Sequence, residues 1–77
     1  MTALQPTILI VDDEPSVRRS LTVLLRKNYA ILAVATGQEA LAELQKANVD
    51  LVLLDLRLPD CSGLELLQKI KELDEKE

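Results

Sequence analysis

The sequence predicts an α/β domain: a three-stranded parallel sheet of strand order 2-1-3, with three helices on its two faces. Three observations predict it. ILIV at 8–11 and LVLL at 51–54 are aliphatic runs unbroken by polar residues, the pattern of strands buried on both faces of a parallel sheet. The segments after each strand carry apolar residues at helical spacing. Two capping boxes, T-x-x-E at 36–39 and S-x-x-E at 62–65, mark helix starts. The order is therefore β-α-β-α-β-α, and right-handed crossovers place the first strand between the second and third.

Residues 1–6 read as a loose N-terminal tail. Pro6 would disturb a central strand but is harmless just before one. The first strand runs from Thr7 to Val11. Asp13 or Glu14 then caps a helix that has Pro15 near its first position, where a missing N–H costs nothing. Val17, Leu21, Leu24 and Leu25 fall on one face of it, and Arg26 and Lys27 suit its negative end. Ala30 to Ala35 is the second strand. The box at Thr36 opens a helix striped by Ala40, Leu41, Leu44 and Ala47, with Asn48 as its stop. Asp50 to Leu54 is the third strand. Pro59, Asp60 and Gly63 supply turn chemistry after it, and Asp60 is assigned to shaping that loop. The third helix carries Leu66, Leu67, Ile70 and Leu73 and fades into the charged DEKE end.

Composition sets the bounds. Seventy-seven residues make one domain at most, and a chain of that size buries only about 60% of its unfolded surface. Apolar content of 48% beside 29% charged residues is globular, not disordered. The net charge of −4 argues against nucleic acid or an anionic membrane as partner. No apolar run approaches the roughly 20 residues that span a bilayer, and no signal peptide is visible. The lone Cys61 excludes an internal disulfide and reads as a loop thiol, not a redox centre.

The chemistry lies at the strand ends. Asp12 and Asp13 follow the first apolar run and Asp55 follows the third. In an open α/β sheet, ligands gather outside the carboxyl ends of the strands, so adjacent strands bring these three carboxylates to one rim. Clustered anions repel, and a hard divalent cation with oxygen ligands, such as Mg²⁺, relieves the repulsion.

The stretches ILIVDDEPSVRRSLTVLL at 8–25, ATGQEALAEL at 35–44 and DLVLLDLRLPDCSGLELLQKIK at 50–71 resemble the response-regulator receiver domain, the phosphoacceptor module of two-component signalling. The resemblance implies that Asp55 is phosphorylated by a sensor histidine kinase with Mg²⁺ as cofactor. It implies Asp13 as a direct metal ligand, Asp12 as one acting largely through water, and the backbone carbonyl of Arg57 as the third protein ligand. It implies a cytoplasmic signalling module, not an enzyme. Arg18 and Arg19 are candidate kinase contacts, with a solvated helix face as the plainer reading.

A complete receiver is flavodoxin-like, with five strands in order 2-1-3-4-5. The present sequence supplies three, so the expectation is the N-terminal three-fifths of the domain, spanning residues 7–77. The family's Ser or Thr after the fourth strand, its Lys after the fifth and its switching aromatic have no counterpart here. Switching is therefore expected to be lost. The competing expectation is a self-associating structural fragment, a homodimer joined through the third strand. An Mg²⁺-dependent phosphatase is disfavoured, because such enzymes place two Asp two residues apart, whereas Asp12 and Asp13 are adjacent.

Overall fold

The structure, a computed structural model, describes residues 5–75. The elements are β1 (Thr7–Val11), α1 (Pro15–Leu25), β2 (Ala30–Val34), α2 (Gly37–Lys46), β3 (Leu51–Leu54) and α3 (Gly63–Glu75). They form one parallel sheet of order β2-β1-β3, the order expected from the sequence. β2 and β3 are each one residue shorter than expected, since Ala35 and Asp50 lie just outside them.

Register decides what each face contains. Leu9 stands beside Leu32 and Val52, and Val11 beside Val34 and Leu54. These side chains share one face and pack with Ala40 of α2 and Leu66 of α3 into the main buried cluster. Ile8 and Ile10 alternate to the opposite face and are also buried. β1 is thus closed on both sides, as its unbroken ILIV run predicts. Fully burying an aliphatic side chain contributes roughly 1.5–3 kcal/mol, so β1 carries a large share of the core energy.

The helices depart from their predicted stripes in one respect. Leu66 is fully buried, and Ile70 and Leu73 are partly so, but Leu67 is 46% exposed and Leu24 is 73% exposed. α1 contains no fully buried residue. The stripe of α1 is therefore narrower than predicted. Val17, Leu21 and Leu25 keep partial cover and Leu24 does not.

The ends of the helices follow local chemistry. At α2, Thr36 Oγ1 accepts from Glu39 N–H at 3.1 Å, and Glu39 Oε1 reaches back to Ala35 N–H at 3.0 Å, one residue earlier than the standard box. At α3, Ser62 Oγ accepts from Glu65 N–H at 3.1 Å and Glu65 Oε1 from Ser62 N–H at 3.0 Å, the reciprocal box that was predicted. α1 begins with Glu14 at its N-cap, Pro15 next, and no side-chain cap. α2 leaves helical geometry at Ala47, one residue before the predicted stop at Asn48. Of the predicted tail, residues 1–4 lie outside the described residues. Gln5 Nε2 donates to the Lys27 carbonyl at 3.0 Å, and the Pro6 carbonyl accepts from Ala30 N–H at 2.9 Å.

Candidate functional site

Asp12 and Asp13 leave the end of β1, and Asp55 leaves the end of β3. Val11 and Leu54 are paired neighbours across the sheet, so the three acids emerge side by side. One carboxylate oxygen from each lies within 4.8 Å of the others. Asp12 and Asp55 are half-buried and Asp13 is exposed. The sheet places them there; no local feature of either loop could.

Each loop is pinned by its own acid. Asp12 Oδ1 accepts from Glu14 N–H at 2.9 Å, an Asx-type turn that starts α1. Asp55 N–H donates to the Val11 carbonyl at 2.9 Å, tying Asp55 to the end of β1. Asp55 Oδ1 accepts from Arg57 N–H at 3.1 Å, and its second oxygen makes no hydrogen bond among the described residues. Arg57 exposes its side chain and forms an isolated antiparallel bridge with Ser62. The chain then re-enters order as Gly63 N–H donates to the Leu56 carbonyl at 2.9 Å. A Cβ at Gly63 would sit 2.8 Å from the Asp55 carbonyl and from Leu56 Cα, so only glycine permits that approach.

Three oxygens so placed suit a hard cation. Opposite ligands of an octahedral Mg²⁺ stand roughly 4.2 Å apart, twice its ligand distance, and the ion keeps several waters. A trio within 4.8 Å therefore fits such an ion when one arm acts through water.

Sequence reasoning missed two features. Arg18 is not simply a solvated helix residue. It is half-buried, and its Nη1 donates to the Asp12 carbonyl at 2.7 Å, bracing the turn between β1 and α1. Arg19 is exposed. Asp60 does more than shape its own loop. Its two oxygens accept from Gly37 N–H and Gln38 N–H of α2, both at 2.9 Å. Those backbone bonds hold the Asp60 carboxyl below its usual range. Cys61 is half-buried against the core cluster, and burial, reinforced by Asp60, pushes its thiol up, away from the reactive thiolate.

The family model for the response regulator receiver domain matches residues 8–77. The transcriptional regulatory protein ResD of Bacillus subtilis is 48% identical over 66 residues, which cover 84% of this chain and 28% of that protein. The DNA-binding response regulator MtrA of Mycolicibacterium smegmatis is 35% identical over 72 residues, covering 92% of this chain and 32% of that one. A CheY-like receiver domain from Methanospirillum hungatei superposes with a TM-score of 0.86 at 38% identity, covering 92% of this chain and 57% of that chain. A structure of the histidine kinase ThkA in complex with the response regulator TrrA matches with a TM-score of 0.81 at 40% identity, covering 88% of this chain and 60% of that one. The chain thus spans under a third of the curated relatives it matches and about three-fifths of these solved chains.

Proposed function

The chain belongs to the response regulator receiver domain family, and on that premise we propose that it is the phosphoacceptor segment of a two-component signalling protein, phosphorylated on Asp55 by a sensor histidine kinase. One observation carries the reading: the carboxylates of Asp12, Asp13 and Asp55 converge within 4.8 Å at the strand ends. Asp12, Asp13, Asp55 and the Arg57 carbonyl would hold Mg²⁺, which supplies positive charge against the incoming phosphoryl oxygens. Asp55 presents the oxygen left free by Arg57 N–H as the nucleophile. That oxygen bonds to the phosphorus of a phosphohistidine as the N–P bond breaks, leaving an acyl phosphate on Asp55 and the electron pair on the imidazole.

The kinase as partner is supported by the likeness to the TrrA complex, and the exposed Arg19 on α1 is available to it. A cytoplasmic setting is supported by membership of the receiver family, and a lack of direct contact with nucleic acid or an anionic membrane by the net charge of −4. No helix among the described residues is long and apolar enough to cross a membrane. Taken alone, the 77 residues accept the phosphoryl group poorly and do not switch. That part of the proposal is supported by their covering about three-fifths of the solved receivers they match. Incubation with acetyl phosphate and Mg²⁺, followed by intact mass, tests all of this. A small phosphoryl adduct absent from Asp55→Asn is expected. No adduct on the wild type would remove the phosphoacceptor reading, and a stoichiometric adduct with a changed amide spectrum would remove the loss of switching.

A second reading is favoured by β3. Among the described residues it pairs only with β1, and its Leu51 is 52% exposed. An apolar edge without Lys, Pro or a bulge is a template for another strand. Two copies of the 77-residue chain would pair antiparallel about a two-fold axis, in the order 2-1-3-3′-1′-2′. Light scattering should then give a mass that falls on dilution, and Leu51→Lys should hold the chain monomeric. A monomer at every concentration would exclude the dimer.

A further inference from the structure

Beyond Asp55, the loop between β3 and α3 is bonded mostly to itself. Leu58 N–H donates to the Cys61 carbonyl at 3.2 Å, Arg57 bridges Ser62, and Gly63 N–H donates to the Leu56 carbonyl. Leu56 and Ser62 bond to the adjoining start of α3, but among the described residues Asp60 alone carries a polar bond from residues 56–62 to an element distant in sequence. It crosses 22 and 23 residues of sequence to reach the first two amides of α2. α2 does not need it in order to start. Thr36 and Glu39 already form a cap, and the Thr36 side chain serves Glu39 N–H. The two-point bond therefore has its main consequence at the other end, in the loop.

The packing beneath agrees. A Cβ at Gly37 would overlap Cys61 Sγ and lie 3.4 Å from Asp60 Oδ1. Gly37 has no positive φ, so glycine is required here for room and not for backbone shape. Leu58 and Cys61 pack against the core cluster on either side of Pro59-Asp60. A bidentate carboxylate fixes orientation as well as distance. The loop tip is thereby seated on α2, while the loop's start is held to β1 through Asp55 N–H and the Val11 carbonyl. Arg57 lies between these two anchors.

From this we infer that Asp60 is a positioning residue for the acidic rim. By clasping the first turn of α2, it sets where the Arg57 backbone stands relative to Asp12, Asp13 and Asp55, and Gly37 leaves the space for the clasp. The inference rests on the cation reading above for its functional consequence, and on the loop geometry for its structural one.

Three variants test it: Asp60→Ala removes both acceptors, Asp60→Asn keeps one, and Gly37→Ala unseats Cys61 while leaving the carboxylate in place. Mg²⁺ is titrated against backbone amide shifts at residues 12–13 and 55–57, with the β1 amides as a control for the fold. Loss of a group that orients a ligand typically weakens metal binding by about tenfold or more. Asp60→Ala and Gly37→Ala should show that loss, with Asp60→Asn in between. If Asp60→Ala exposes the Gly37 and Gln38 amides to faster exchange yet leaves Mg²⁺ affinity unchanged, Asp60 is only a helix cap and the inference fails. If the wild type shows no Mg²⁺ response, the cation reading fails instead, and the Arg57 amide decides the present one. A shifted, faster-exchanging Arg57 amide in Asp60→Ala upholds the clasp, and an unmoved one overturns it.

Discussion

The two faces of the sheet are built to different standards. On one, α2 and α3 close over Leu9, Val11, Val52 and Leu54, and Ala40 and Leu66 are fully buried. On the other, among the described elements, α1 stands against β1, and it buries none of its own residues completely. Leu24 and Val23 of α1 and Leu51 of β3 remain largely exposed. The contrast extends to the helix ends. α2 and α3 have side-chain caps, whereas α1 has none. The face that carries the loop of Asp55 is thus the well-packed one. A rim that must hold three like charges together needs a rigid support, and it is the α2/α3 layer that supplies it.

The largest expected effect breaks the better face. Leu66→Ala should cost about 2–5 kcal/mol, the range for a large-to-small change in a closed core. Leu24→Ala, on the open face, should fall within about 0.5 kcal/mol. Urea unfolding of both variants measures the contrast directly, and equal losses would show that the two faces are packed alike. Next is Gly63→Ala, which forces backbone apart at the start of α3. An overpacking cost of about 1–3 kcal/mol is expected, with the amides of Leu56 and Gly63 shifting most.

A smaller effect sharpens the contrast at the helix ends. Asp60 and Glu65 are both held below their usual carboxyl values, Asp60 by the Gly37 and Gln38 amides and Glu65 by the Ser62 amide and side chain. A depressed folded value means that the stabilisation is full above the unfolded value and is lost as pH falls through the folded one. The loss therefore occurs below 3.8 for Asp60 and below 4.5 for Glu65. Amide exchange over an acid titration should loosen Gly37, Gln38 and Ser62 before the first amides of α1, which have no carboxylate cap to lose. The smallest effect is Arg19→Ala on exposed α1, with stability unchanged within about 0.5 kcal/mol. A larger loss on thermal unfolding would mean that the α1 face is closed after all.

Much of this protein is legible in its sequence because the deciding interactions are local. ILIV and LVLL read as strands, and Thr36/Glu39 and Ser62/Glu65 read as helix starts, because the partners in each lie within a few residues. Strand order comes with the resemblance to the flavodoxin-like receiver, and with it the meeting of Asp12, Asp13 and Asp55; the handedness of crossovers then assigns each helix its face. What the sequence could not disclose depends on contacts between distant segments. Nothing in the neighbourhood of Asp60 points to Gly37 and Gln38, more than twenty residues away. Nothing in the first helix distinguishes Arg18, folded back on the Asp12 carbonyl, from its exposed neighbour Arg19. Leu24 and Leu66 occupy equally good stripe positions, yet one is exposed and the other buried. Periodicity states which side chains could face a core; only the element lying opposite decides which of them do.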